Sequence, residues 1–352
     1  MLGKGELPRA IPSAPPPADE AHEERDDLRD VHGQESARRA LEIAAAGQHN
    51  LLMLGPPGAG KTMLARRLPG LLPALSQAEA LDVAAIHSVA GLLGAQRVVP
   101  RARPFRAPHH TVSEVGLVGG GGERVCPGEV TLAHHGVLFL DELAEFRRGA
   151  LEALRQPLED GFVTVSRAHT KATFPARPLV VGAMNPCPCG HLGDGSNRCA
   201  CTRERIRAYR SRLSGPLLDR LDVHVSLAPV SLAALQRRTP GESTRDVRTR
   251  VEAARAIQRG RFDRGETIAP VNSALSTRDL ERIATPCEAG QRLLGAAVTR
   301  LGLTARAYGK VLRVARTIAD LEAAHALAPA HLAEAIGLRV LDRGTAAPAT
   351  AA

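Results

Sequence analysis

Gly55, Pro56, Pro57, Gly58, Ala59, Gly60, Lys61 and Thr62 follow the spacing G-x4-G-K-T. Glycines at these positions let backbone N–H groups curl around an anion, and a helix starting at the end of the loop points its positive N-terminus at the same oxygens. In such a loop Lys61 pairs with the β- and γ-phosphate oxygens of a nucleotide, and Thr62 places its hydroxyl on Mg2+. Further along, the apolar run Val137, Leu138, Phe139, Leu140 ends in Asp141 and Glu142. Asp141 can hold Mg2+ through a water, and Glu142 can orient or deprotonate an attacking water. A third apolar run ends at Asn185, a polar group that could hold that water or the γ-phosphate.

Four of the six cysteines form two C-x-C pairs, Cys187/Cys189 and Cys199/Cys201, with nine residues between the pairs. Four thiolates can close a tetrahedral zinc site and pin a loop too irregular to build its own core. Reduced thiols without metal are the other reading, since C-x-C is tighter than the usual C-x2-C; His191 is a spare ligand. Cys126 and Cys287 stand alone. The pairs His109/His110 and His134/His135 suit structural or pore-loop roles better than metal, because adjacent side chains diverge on most backbones.

Particular elements must position these groups. The pattern predicts a helix over 34–46, a short strand over 50–54 leading into the glycine loop, and an amphipathic helix over 63–68. Strand, loop, helix is the context a phosphate loop requires. Residues 81–135 are rich in Gly, Pro and His and resist assignment. A buried strand over 136–140 runs into Asp141, a helix is expected over 149–158, and 162–165 with 171–174 alternate as a β-hairpin. A third strand spans 179–183. After Pro229 the chain turns to Ala-, Arg- and Leu-rich helices with no strand signal. The expected division is a disordered leader over 1–29, an α/β unit over 30–228, a helical unit over 229–342 and a loose tail over 343–352.

A net charge of +9 suits polyanionic partners such as nucleic acid or nucleotide. Of 46 basic residues only four are Lys: Lys4, Lys61, Lys171 and Lys310. In a chain that otherwise uses Arg, an isolated Lys61 within a glycine loop stands out, because a compact ammonium fits between phosphates where a planar guanidinium does not. With no Trp, two Tyr and six Phe, base stacking is not expected to be the main route to nucleic acid. No run of about 18 apolar residues spans a membrane, and the start has no apolar stretch of signal-peptide type, so a cytoplasmic enzyme is expected.

The phrases FRAPHHTVSEVGLVGGG, PGEVTLAHHGVLFLDELAEF, LRQPLEDGFVTVSRAHTKATFPA, MNPCPCG and YRSRLSGPLLDRLDVHV closely resemble the ComM/YifB family of magnesium-chelatase-like AAA+ ATPases. The resemblance runs from Asp30 to about Asp342. It implies a P-loop parallel-sheet core with an insert after the second strand, a β-hairpin before the Asn185 strand, and an all-helical lid. ATP and Mg2+ are the implied ligands, and a homo-oligomer, hexameric in relatives, is the implied assembly. In such rings the insert and hairpin line the pore and touch DNA, making Arg167, His169 and Lys171 candidate strand contacts; a plain solvated turn is the other reading. The segment from Ser214 to Asp222 is similar to one carrying an arginine finger, so Arg220 would reach a neighbour's γ-phosphate. The stretch from Leu303 to Tyr308 resembles the sensor-2 helix, with Arg306 as the lid's phosphate contact within its own subunit. Full-length members carry an N-terminal domain of the Lon-protease S5-like fold before this module, and the chain is expected to open in the connecting linker without it.

The implied activity is ATP hydrolysis driving branch migration or helicase-like work on DNA during recombination, alongside recombination proteins. The alternative is an ATPase that remodels a partner protein, as in magnesium-chelatase metal insertion. A nucleotide-dependent scaffold is a third reading, disfavoured by the intact Asp141/Glu142 pair.

Overall fold

The structure is a computed structural model that describes residues 26–93, 99–120, 125–166, 171–229, 241–339 and 341. Nine strands are described: β1 (Leu51–Leu54), β2 (Phe105–Arg106), β3 (Gly119–Gly120), β4 (Cys126–Pro127), β5 (Val137–Leu140), β6 (Phe162–Ser166), β7 (Lys171–Pro175), β8 (Leu179–Met184) and β9 (Val223–Ser226). Five of them pair in the order β2-β5-β8-β1-β9, all parallel. The runs LLML, VLFL and LVVGAM are buried at every position, as a parallel sheet covered on both faces demands.

Alternation of side chains across the sheet divides the core in two. Leu51, Met53, Phe139, Val181 and Val225 face the helices Glu35–Gly47 and Lys61–Leu71 and the C-terminal helices. Leu52, Leu54, Leu138, Leu140 and Val180 face the other way, onto Leu143, Leu151, Leu154, Val163 and Leu217. Between β2 and β5 come the short helix Glu114–Val118, the β3–β4 pair and Glu129–Leu132, which occupy the place expected of the insert. Strands β6 and β7 form the expected antiparallel hairpin between β5 and β8. Of its candidate contacts, Lys171 is exposed, and Arg167 and His169 lie outside the described residues. After β9 come the helices Thr244–Asp263, Thr277–Ile283, Glu288–Leu301, Ala305–Leu321 and Pro329–Gly337. The architecture is an AAA+ α/β core followed by a helical region.

Two expectations need correction. The helix over 149–158 is two helices, Arg148–Ala153 and Arg155–Asp160, meeting at Leu154. Pro157 has no N–H to continue the ladder across that junction. Nor is the leader over 1–29 disordered to its end. Leu28 is fully buried, its N–H donates to Thr244 Oγ1 at 2.8 Å, and Asp27 Oδ1 accepts the Thr244 N–H at 2.8 Å. Asp27 and Leu28 are therefore tied to the first residue of the helix that Ser243 caps; residues 1–25 and the tail over 343–352 lie outside the described residues.

The helical region meets the sheet at the amino ends of the strands through a polar cluster. Asp222, just before β9, accepts from Lys310 Nζ at 2.6 Å and from the Asn50 N–H at 3.1 Å. His49 Nδ1 lies 3.7 Å from the same carboxylate, and its Nε2 is 2.7 Å from Thr317 Oγ1. Asn50 adds bonds from its amide to Arg220 O (3.0 Å) and from the Val180 N–H to its side-chain oxygen (2.9 Å), tying together the starts of β1, β8 and β9. Burial pushes the Asp222 carboxyl up, but Lys310 and His49 more than reverse this and hold it below the usual carboxylate range.

Asp222 and Lys310 are largely but not wholly buried, and removing one member of a fully buried pair typically costs about 3–5 kcal/mol. Lys310→Met is therefore expected to lower unfolding stability by about 3 kcal/mol. The double variant Asp222→Asn/Lys310→Met should recover much of that loss. Denaturant titration followed by circular dichroism checks both.

Candidate functional site

The carboxyl ends of β1, β5 and β8 lie side by side, and in open parallel sheets ligands bind at such ends. Residues 55–62 leave β1 and turn into the helix Lys61–Leu71. Gly58 and Gly60 have φ of +76° and +89°, and a Cβ added at either would meet nothing within 4 Å, so the loop is left-handed and open on its outer side. Gly55 is different: its missing Cβ would lie 2.9 Å from Leu227 O, where the loop crosses the chain leaving β9. The Leu227 N–H in turn donates to Leu54 O at 2.6 Å.

Lys61 is buried, and its ammonium donates to Gly55 O (2.6 Å), Pro56 O (3.0 Å) and Asn185 Oδ1 (3.1 Å). Burial lowers its pKa, opposed by the nearby Asp141 and Glu142 carboxylates. Its ordinary value is far above neutrality, so a cation sits beneath an open glycine cradle. Thr62 Oγ1 donates to Asp141 Oδ2 at 2.8 Å, and the other Asp141 oxygen accepts the Glu142 N–H at 2.9 Å. Hard oxygens from a hydroxyl and a carboxylate, beside a cationic phosphate cradle, are the donor set Mg2+ takes with a nucleotide. The residues present thus fit both ATP and Mg2+.

Glu142 takes φ +50°, ψ +44°, a left-handed conformation that costs a residue with a Cβ about 1–2 kcal/mol. Its carboxylate is held by His110 Nδ1 at 3.0 Å. His110 also meets Phe146 edge-on and lies tilted against the His109 ring. The sequence reading missed this contact, leaving both histidine pairs in structural or pore-loop roles. Its one visible signal is that FRAPHH follows a strand, β2, that pairs with β5.

The structure brings Lys61, Thr62, Asp141, Glu142 and Asn185 together, but not the two arginines. Arg220 donates to Arg155 O (3.0 Å) and Pro216 O (2.7 Å) and pairs with Glu159. Arg306 is exposed on the first turn of the helix Ala305–Leu321. Both line one cleft at the amino ends of the strands, together with Asn50, Gly136, Leu179 and Asp222; no residue of 55–62 lines it. Arg306, expected to complete the site of its own subunit, lies away from the loop here: Lys310, one turn along the same helix, ties that helix to Asp222 at the opposite end of the sheet.

The cysteine pairs also converge. Sulfurs of Cys187, Cys189 and Cys199 lie 3.4, 3.7 and 3.8 Å apart, and Cys201 places its sulfur within 4.8 Å of the others. His191 is engaged elsewhere, with Asp194 at 2.9 Å. No described helix is long and apolar enough to cross a membrane.

A family model described as magnesium chelatase, subunit ChlI, matches residues 27–235, and one described as the C-terminal part of that subunit matches 241–339. The chain is 47% identical over 321 residues to the protein YifB of Salmonella typhimurium, covering 90% of this chain and 61% of that one. It is 47% identical over 319 residues to the competence protein ComM of Haemophilus influenzae, covering 90% and 60%. The magnesium-chelatase 38 kDa subunit of Rhodobacter capsulatus is 27% identical over 335 residues, covering 86% and 83%. The chain thus spans about three fifths of the length of the first two relatives.

If the cradle binds phosphate, Lys61→Ala removes its central charge. One charge-assisted bond is worth about 2 kcal/mol, so affinity for a fluorescent ATP analogue should fall about thirtyfold or more. Titration in excess Mg2+, with circular dichroism to show an intact fold, checks this.

Proposed function

The chain belongs to the family of magnesium-chelatase subunit ChlI, and we propose that it is an oligomeric AAA+ ATPase whose active site is shared between neighbouring subunits and whose work is done on DNA. The observation that carries the shared site is the separation of the two arginines from the phosphate loop by the length of the strands.

In this reading the backbone N–H groups of residues 55–62 and the Lys61 ammonium hold the β- and γ-phosphates, for which Lys61 exchanges its bonds to Gly55 O and Pro56 O. Thr62 and Asp141 would hold Mg2+, which would supply positive charge to offset that of the phosphate oxygens. Glu142 takes the proton of the attacking water as the water oxygen bonds to the γ-phosphorus and the bond to the β–γ bridging oxygen breaks. Asn185, at the end of β8, fixes the position of that water or of the γ-phosphate. His110 holds Glu142 in its left-handed conformation until the site is filled. Arg220 and Arg306 serve the adjoining subunit's γ-phosphate, where guanidinium groups stabilise charge in the transferring phosphoryl group. The working units are the α/β part over 30–228 and the helical lid over 229–342, in a homo-oligomeric, hexameric ring.

Support for DNA comes from three sources: the net charge of +9, the antiparallel β6–β7 hairpin with Lys171 exposed on it, and the likeness to a protein named for competence. Branch migration or helicase-like action during recombination in the cytoplasm, with recombination proteins as partners, is the work we propose on that support. Remodelling of a partner protein is the second reading, favoured by the match to a magnesium-chelatase subunit along 83% of its length. We further propose that Cys187, Cys189, Cys199 and Cys201 hold a structural zinc ion.

Two experiments test these roles. Arg306→Ala and Glu142→Gln proteins should each be inactive alone, and mixing them should restore part of the ATPase rate, because some interfaces then carry both intact halves. No recovery in mixtures shown to co-assemble would refute the shared site. Forked or four-way DNA should stimulate ATP hydrolysis and be unwound or migrated in an ATP-dependent manner. An ATPase indifferent to every DNA structure offered would favour the partner-remodelling reading.

A further inference from the structure

Residues 185–202 leave the end of β8 and reach the helix Arg203–Arg210 without helix or strand of their own. A stretch this long with no regular structure inside a compact domain needs something to hold it. Its outer turn is tied by polar bonds among His191, Asp194, Ser196 and Arg198. Its inner turn carries the buried Cys187, and the four thiols gather around that residue. None of them is in a disulfide. Separations of 3.4–3.8 Å are too long for an S–S bond. They are close to the edge of a tetrahedron with metal–sulfur bonds of about 2.3 Å, which is about 3.8 Å.

The inner turn also touches the nucleotide site. Gly190, at φ +81°, packs so closely on the phosphate loop that a Cβ there would lie 2.7 Å from Pro57 Cδ and 3.0 Å from Pro57 Cγ; it would also sit 3.9 Å from Asn185 Cγ. The Gly190 N–H donates to Cys187 O at 3.0 Å, locking this turn to the first cysteine. The Arg210 guanidinium donates to Pro186 O at 3.3 Å from the far side. One residue thus bears on the phosphate loop and is flanked by Cys189 and, through its turn, by Cys187.

We propose that the four-cysteine loop is a zinc clamp on the nucleotide site: a tetrathiolate zinc ion seats Gly190 against Pro57, and so sets the position of both the phosphate loop and Asn185. This rests on the zinc reading above and gives it a function. The metal has no open coordination position for chemistry. It acts by position, so that its loss is felt as weaker nucleotide binding rather than as a missing catalytic group.

The test uses the full chain with Cys126 and Cys287 replaced by Ser, so that the four thiols are the only ones present. Purified without chelator, it should carry one zinc per chain. Titration with a reversible organomercurial in excess Mg2+ should release that zinc and weaken binding of a fluorescent ATP analogue about tenfold. Dithiothreitol with added zinc should restore both. Gly190→Ala leaves all four thiols in place, so it should retain zinc and still lose a comparable share of nucleotide affinity. Zinc release with unchanged affinity, or a Gly190→Ala protein that binds nucleotide like its parent, overturns the clamp and leaves the zinc site standing. A chain that binds ATP yet carries no zinc overturns both.

Discussion

The ion pair between Asp222 and Lys310 decides how the two halves of this molecule stand to one another. Asp222 closes the turn into β9, and Lys310 lies in the second turn of the helix Ala305–Leu321, 2.6 Å away. A pair so enclosed loses much of its Coulombic gain to desolvation. Its value lies in register, since an apolar contact would hold the helix against the sheet at many angles and a carboxylate that must find one ammonium, one backbone N–H and one imidazole holds it at one. His49 and Thr317 extend the constraint to the helix Glu35–Gly47, which ends just before His49. Asn272 carries it to Asp320, the partner of Arg261 and Arg316.

From that register follows the division of the nucleotide chemistry that the proposed function assigns. The sheet presents its carboxyl ends with Lys61, Asp141, Glu142 and Asn185, and its amino ends with Arg220 and Arg306. No side chain spans a strand lengthwise, so one subunit cannot bring both sets to one phosphate while Lys310 stays on Asp222. Two different ends that must meet make a heterologous, head-to-tail contact, and such contacts close into rings when the rotation between neighbours permits. Under the proposed function, assembly is then a requirement of the chemistry rather than an addition to it.

How much of this was legible in the sequence depended on how local each signal was. The phosphate loop and Asp141/Glu142 are contiguous, and the backbone geometry that makes them work is written in the same few residues. The five-stranded core was readable in part, because buried parallel strands are apolar throughout; two-residue β2 is too short to register. The hairpin was readable from its alternation. Arg220 and Arg306 came only with the family resemblance, and their placement relative to the loop was hidden because it is fixed by a pair 88 residues apart. The His110–Glu142 contact was hidden likewise: it depends on β2 lying beside β5. Leu28 was misassigned because a charged, proline-rich approach masks one apolar residue that fits a hole beside Thr244.

Lysine usage ties these observations together. Among the described residues only three are Lys; Lys61 is buried and Lys310 largely so, and these two stand at opposite ends of the sheet. Each places a compact ammonium where several oxygens converge from different directions, at the phosphate loop in one case and at Asp222 in the other. A guanidinium is planar and too wide for either place. Where the chain buries Arg instead, the fork is used as a fork. Arg316 reaches His325 O and Ile283 O as well as Asp320, and Arg339 reaches Leu221 O and Asp222 O. Those arginines stitch loop carbonyls to helices, and so hold the surroundings in which a point charge can be exact. Lys61 stands out in the sequence because of its glycine loop. Lys310 stands out on the same ground of rarity, and the structure gives it a matching task at the other end of the strands.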